Sequence, residues 1–205
     1  MMTAQSGPAE DQALLAAAAR GDTASVKGLL DRGASVQARD GAGRTALLLA
    51  TRGNHVEAAR MLIAAGADVN AKDNIQDSPF LYAGAEGRNE ILKMTLEAGA
   101  DLKSTNRYGG TALIPAAHHG HVETVKILLA IAIDKDHVNG LGWTALLEAV
   151  ILGDGGRTYT EIVRLLVEAG ADVNIADRDG VTPLVHAKRH GYSEIARILE
   201  SRGGR

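Results

Sequence analysis

The stretch HHGH, residues 118 to 121, puts three histidines within four positions, and imidazoles so placed can ligate zinc or a similar cation. The chain has no cysteine, and no carboxylate cluster accompanies these histidines to complete a coordination shell. A structural role is therefore expected, with His118 and His119 closing a helix and His121 sharing the phase of His55 in a repeat. GDGGR, residues 153 to 157, looks like a phosphate-cradling loop. It lacks a preceding strand and the Gly-Lys-Ser/Thr that would reach phosphates and magnesium, so a surface loop is expected. Glu148 is expected in a salt link or at a rim, the alternative being a buried acid with a raised pKa. No set of nucleophile, base and orienting group emerges anywhere. The chain reads as a non-enzyme with no catalytic residues, no metal and no cofactor.

The elements that would carry these residues are set by a repeat. TALLLA at 45, SPFLYA at 78, TALIPA at 111, TALLEA at 144 and TPLVHA at 182 align, with spacings of 33, 33, 33 and 38 residues. GADV at 66, GADL at 99 and GADV at 170 keep the same phase. So do Glu57, Glu90, Glu123, Glu161 and Glu194, which complete a third landmark in one register.

Each unit reads as a helix pair. Thr45, Ser78, Thr111, Thr144 and Thr182 are helix-capping types, and Pro79 and Pro183 follow at the first helical position, where a missing N–H costs nothing. Asn54, Gly87, Gly120, Gly153 and Gly191 can take left-handed backbone and end the first helix. A second, amphipathic helix follows, as in VETVKILLA from Val122, and closes at Gly66, Gly99 or Gly170. Turns of the Asp/Asn-x-x-Gly kind (DGAG, NRYG, NGLG, DRDG) lead to the next cap. One pair cannot bury its own apolar face, so neighbours must stack into an all-α solenoid.

The T-P-L-x-x-A, G-H-x-E and G-A-D-V-N elements, with Gly120, His121 and Glu123 as one full match, resemble the ankyrin-repeat family over roughly residues 10 to 203. The resemblance implies about six stacked helix pairs with finger-like turns. The expected organisation is a flexible tail over 1–9 and a single repeat domain over 10–203. Within it lie an N-terminal cap repeat at 10–40, repeats near 41–73, 74–106, 107–139 and 140–177, and a C-terminal cap repeat at 178–203. The fourth repeat carries an insertion at 153–160.

Departures from the pattern carry their own expectations. The usual histidine three residues after the cap is replaced by Leu48, Leu81, Ile114, Leu147 and Val185, which makes the helix contacts more apolar. Gln76 stands where the turn glycine belongs, which argues against the ideal turn there. Pro115 in a first helical turn costs one backbone bond. Ile131 and Ile133 replace small residues, so either that helix ends differently or a small apolar patch is exposed. Three glycines in four positions of the insertion predict a flexible, exposed loop whose removal the fold tolerates.

In an ankyrin-like stack the turns project as fingers along the concave side. The residue before the turn glycine is Ala42, Ile75, Tyr108, Leu141 or Asp179 in successive fingers. Ile75, Tyr108 and Leu141 are expected to form an apolar ladder, with Trp143 beside Leu141. Finger tips are ordinarily polar, whereas Trp and Tyr dominate the energetics of interface centres. These four are the expected anchors for a partner, with Arg44, Asp77, Arg107, His118 and His119 as the rim.

Composition agrees with this reading. Aromatics are only 3% beside abundant Ala, Leu and Gly, which suits close-packed helices, and a net charge of −3 gives no electrostatic case for nucleic acid or an anionic membrane. No stretch reaches the ~18 apolar residues of a membrane helix. The expected function is a non-catalytic protein–protein interaction module, a scaffold binding another protein in its concave groove as a monomer. The alternative is a small-ligand or substrate site formed by the Gly-rich insertion and the fingers. A cytoplasmic location is expected, or a periplasmic or secreted one if a signal has been removed.

Overall fold

The computed structural model describes residues 7–205, and among them twelve helices and no strand beyond an isolated Arg39–Thr45 bridge. The expected tail falls largely on residues 1–6, outside the described residues; Pro8 and Ala9 already belong to the first helix.

Two compact units are formed. Residues up to Ala83 and Arg88–Asp101 make one, and Gly84–Gly87 with Leu102–Arg205 make the other. The first contains α1 (Pro8–Arg20), α2 (Thr23–Asp31), α3 (Ala46–Arg52), α4 (Val56–Ala64), most of α5 (Pro79–Ala85) and α6 (Asn89–Glu97). In it α1 packs on α2 and α3, and α4 packs on α2, α3 and α6. The second contains α7 (Leu113–His118), α8 (Val122–Leu129), α9 (Ala145–Ile151), α10 (Arg157–Glu168), α11 (Pro183–Arg189) and α12 (Ser193–Glu200). There the first helices α7, α9 and α11 stack in order, and α8, α10 and α12 stack behind them. Helix pairing and stacking thus follow the repeat.

The caps form in four of five repeats. Thr45, Ser78, Thr144 and Thr182 hydroxyls accept the N–H of Leu48, Leu81, Leu147 and Val185 at 3.2, 3.1, 3.2 and 3.4 Å. Each cap carbonyl meanwhile accepts the N–H one residue further on, from Leu49, Tyr82, Glu148 or His186. Thr111 does not cap with its side chain. The fourth residue after it is Pro115, which has no N–H to give, so Ile114 donates to the Thr111 carbonyl at 3.2 Å instead. The buried Thr111 Oγ1 is left without a partner, and α7 starts a residue late.

The apolar substitutions after the cap go into the core: Leu48, Leu81, Ile114 and Leu147 are at most 3% exposed. Each landmark glutamate lies in the first or second turn of a second helix. All five pair with a basic residue three positions on: Glu57–Arg60, Glu90–Lys93, Glu123–Lys126, Glu161–Arg164 and Glu194–Arg197. Such exposed pairs each contribute only a few tenths of a kcal/mol. Glycines 33, 66, 99 and 170 end second helices with positive φ, and the next N–H closes back on the helix at 3.0 Å. Ala132 stands at this position in the third repeat. Ile133 N–H there bonds the Ile131 carbonyl at 2.8 Å, so that end closes differently; Ile131 is half-buried and Ile133 is 5% exposed.

The insertion is exposed at Asp154, Gly156, Arg157 and Thr158, as expected, but it is helical from Arg157 onward. Its residues lengthen α10 to twelve residues, against eight or nine in α4, α6, α8 and α12. Tyr159 stands two residues before the landmark glutamate, in phase with His55 and Tyr192. All three side chains reach a carbonyl at the end of the preceding repeat's first helix: His55 Nε2 to Ala19 O at 3.1 Å, Tyr159 Oη to His118 O at 2.7 Å, and Tyr192 Oη to Gly153 O at 3.0 Å. Left-handed backbone falls on Gly155 rather than Gly153, and a side chain at either glycine would overlap the Tyr192 or Tyr159 ring. The glycines are there because two tyrosines pack against them.

Candidate functional site

Five finger turns share one design. Oδ1 of Asp40, Asp73, Asn106, Asn139 or Asp177 accepts the backbone N–H groups two and four residues later, at 2.9–3.0 Å. These pairs are Ala42 and Arg44, Ile75 and Asp77, Tyr108 and Gly110, Leu141 and Trp143, and Asp179 and Val181. The residue between is left-handed, and Gln76 adopts φ 68° where the other fingers use glycine. The turn expected to be spoiled there is kept, with Gln76 N–H on the Asp73 carbonyl at 3.1 Å.

The tips are thereby rigid and their side chains project outward. Ile75 in the first unit is 50% exposed; in the second unit Tyr108 is 58% and Leu141 50% exposed. Trp143 is only half-buried, neither a core residue nor a fully exposed one. Fingers within the second unit are stitched along the backbone. Gly140 N–H donates to the Tyr108 carbonyl at 2.8 Å, and the Arg178 guanidinium donates to the Gly140 carbonyl. Tyr108 and Leu141 therefore sit on directly joined turns. Val138, 45% exposed, adds an apolar group to the same finger that the repeat phase did not single out.

The remaining predicted residues divide by what holds them. Arg107 is exposed, with its guanidinium 5.2 Å from the Tyr108 ring centre, so these two do come together. Arg44 is tied to its own finger through Asp40 Oδ2 at 2.8 Å, and Asp77 lies 3.6 Å from Arg52. His118 ends α7 and His119 follows it, their rings 4.8 Å apart. His119 Nδ1 lies 2.7 Å from the Ala85 carbonyl, and His118 Nδ1 lies 3.4 Å from Glu148 Oε2. Among the described residues no three His, Asp or Glu side chains converge as a metal site would require.

Glu148 meets the alternative offered for it: it is buried, at 5% exposure, with His118 Nδ1 3.4 Å away, a salt link only when that imidazole is protonated. Burial pushes its carboxyl above the ordinary range, against the Asn139 amide and His119, which favour the charged form. The Asn139 Nδ2 group donates to Glu148 Oε1 at 2.8 Å. The same nine-residue offset joins Asp177 Oδ2 and His186 Nε2 at 2.7 Å in the next repeat.

Comparison with known proteins agrees with the fold. Sequence profiles described as ankyrin repeats match residues 2–73 and 80–177, and a further one matches 156–200. The chain belongs to the ankyrin-repeat family. An ankyrin repeat domain from Acinetobacter baumannii AYE, known by crystal structure, is 60% identical, superposes with a TM-score of 0.92, and covers 94% of this chain and 98% of its own. A second solved ankyrin repeat protein is 48% identical with a TM-score of 0.89, covering 92% of this chain and 96% of its own. Shorter matches are to a putative ankyrin repeat protein, YahD, of Escherichia coli K12 and to protein phosphatase 1 regulatory subunit 12A of Mus musculus. The first is 45% identical over 27% of this chain, the second 56% identical over 20%. Those stretches span only 28% and 4% of the two relatives. The ankyrin-repeat solenoid is the fold of this chain. The family is generally non-catalytic and typically binds proteins.

Proposed function

We propose that this ankyrin-repeat chain is a non-catalytic binding module that takes one partner protein along the concave face of its repeats, with its finger tips as anchors. The observation that carries the reading is the exposure of Tyr108 and Leu141, 58% and 50%, on turns whose backbone is already fixed by hydrogen bonds. Burying large apolar side chains carried on an already ordered backbone adds no backbone ordering cost, and such groups are the anchors of interfaces. Ile75, 50% exposed at the equivalent place in its own finger, and the half-buried Trp143 extend the same chemistry. Arg107, His118 and His119 supply polar groups in the second unit, and Arg44 and Asp77 do so in the first. A small-ligand site at the insertion gains no support, because Tyr159 and Tyr192 fill the space beside its glycines.

Affinity capture with the wild-type chain and a Tyr108→Ala/Leu141→Ala variant tests this reading, once both are shown to be equally folded. The expected result is a protein retained by the first and lost from the second. A partner held equally by both would overturn it.

A further inference from the structure

Finger four differs from fingers one, two and five in its central side chain; finger three also carries an asparagine, Asn106, whose Oδ1 accepts the same two N–H groups with a proline nine residues on. In fingers one, two and five that side chain is aspartate, whose two oxygens are equivalent, so either orientation offers an acceptor to the two N–H groups of the turn. Asn139 has one oxygen and one NH2. Rotated by half a turn, it would present donors to the N–H groups of Leu141 and Trp143 and break both bonds. Glu148 Oε1, 2.8 Å from Nδ2, is the acceptor that selects the productive orientation. The carboxylate is buried, 5% exposed, and lies 3.4 Å from His118 Nδ1 of α7. Finger five carries a partner at the same offset, His186 Nε2 lying 2.7 Å from Asp177 Oδ2, although an aspartate needs none for its orientation. Finger one has Asp40 with Leu49 nine residues on, and there the second carboxylate oxygen is bonded by Arg44 of the same finger at 2.8 Å.

We propose that Glu148 is a positioning residue for the fourth finger: it orients the Asn139 amide, and that amide holds the backbone on which Leu141 and Trp143 are presented. Its importance for binding rests on the function proposed above, but its action on the finger does not.

Amide hydrogen exchange of the free protein, read residue by residue, separates the two. Glu148→Leu removes the acceptor and should speed exchange about tenfold at Leu141 and Trp143, as loss of a structural hydrogen bond does. Exchange at Asp179 and Val181, held by Asp177, should be unmoved. Glu148→Gln keeps an acceptor oxygen and should keep protection. The decisive variant is Asn139→Asp/Glu148→Leu, which installs the Asp40–Leu49 combination and should restore protection at Leu141 and Trp143. Unchanged exchange in Glu148→Leu overturns the proposal, as does a double variant that exchanges as fast as the single one. Should Glu148→Leu fail to fold, a folded and protected double variant still supports the proposal. A double variant that also fails to fold overturns it, because the defect then lies in packing rather than in the amide. No partner is needed for any of these measurements, so failure here is distinct from failure to find one.

Discussion

Pro115 deprives Thr111 of its capping bond. They stand four positions apart, and the N–H that proline lacks is the one the Thr111 carbonyl would have accepted; Ile114 supplies it instead and abandons the hydroxyl. Restoring the N–H with Pro115→Ala should let Ile114 return to Thr111 Oγ1 and stabilise the protein by about 1 kcal/mol or more.

The accompanying comparison is between hydroxyls. Thr144→Ala should cost about 1 kcal/mol, since its cap is formed, whereas Thr111→Val should be neutral or stabilising because it removes a buried hydroxyl that bonds nothing. Denaturant unfolding checks all three, and Thr111→Val should become costly once Pro115→Ala is present. A costly Thr111→Val in the wild-type background would contradict this account.

The insertion yields a second prediction. Tyr159→Phe removes a hydroxyl bonded to the His118 carbonyl at 2.7 Å and should cost about 1 kcal/mol. Gly153→Ala places a methyl against the Ala149 carbonyl and the Tyr159 ring, and should cost more than about 2 kcal/mol. Deleting Asp154–Thr158 should be at least as damaging, since it breaks the start of α10. Thermal unfolding distinguishes this from a tolerant loop, in which all three changes would be silent.

What could be read in advance, and what could not, follows from these cases. Period, caps and left-handed glycines made the helix pairs legible, because each of those signals is local. The failed cap at Thr111 is not legible from the proline as one lost bond. The proline's effect is to reassign a neighbouring donor, which appears only when all N–H groups of the turn are assigned together. The glycines of the insertion suggested mobility, yet Tyr159 and Tyr192 stand in phase with His55 and His121, and that signal was present in the sequence. The Asn139–Glu148 and Asp177–His186 pairs share one nine-residue offset and could have been found the same way. The half-burial of Trp143 could not, because it depends on how neighbouring chain packs around the finger.

A third prediction concerns backbone strain. Gln76 holds φ 68° in a finger otherwise built like the rest, a conformation that costs a side-chain-bearing residue about 1 to 2 kcal/mol. Glycine recovers this but loses about 0.5 to 1 kcal/mol of chain entropy, so Gln76→Gly should gain about 0.5 to 1 kcal/mol. Urea unfolding measures it, and a loss of stability would show that the Gln76 side chain contributes a compensating contact.

The last prediction is a pH dependence with a defined sign. Burial lifts Glu148 above its ordinary 4.5, and burial together with His119 lowers His118 from 6.5. The charged or titratable groups facing Glu148 are His118 and His119 of α7. On α11, His186 is engaged by Asp177, and on α10, Arg164 is engaged by Glu161 and Glu194. A raised carboxyl contributes stability that is complete below 4.5 and is lost as pH rises through its folded-state value. A lowered histidine works the other way: its contribution is present above 6.5 and disappears as pH falls through its depressed value. The difference between wild type and Glu148→Gln reports the Glu148 carboxyl together with whatever its charge does to His118, 3.4 Å away. The wild type should gain stability relative to Glu148→Gln as pH falls from neutral toward 4.5, and the variant should be at least as stable at neutral pH. Paired urea titrations across that interval measure the difference. A difference that is flat, or that favours the wild type increasingly as pH rises, would mean that the Glu148 carboxyl is not raised and that its hydrogen bond from Asn139 outweighs its burial.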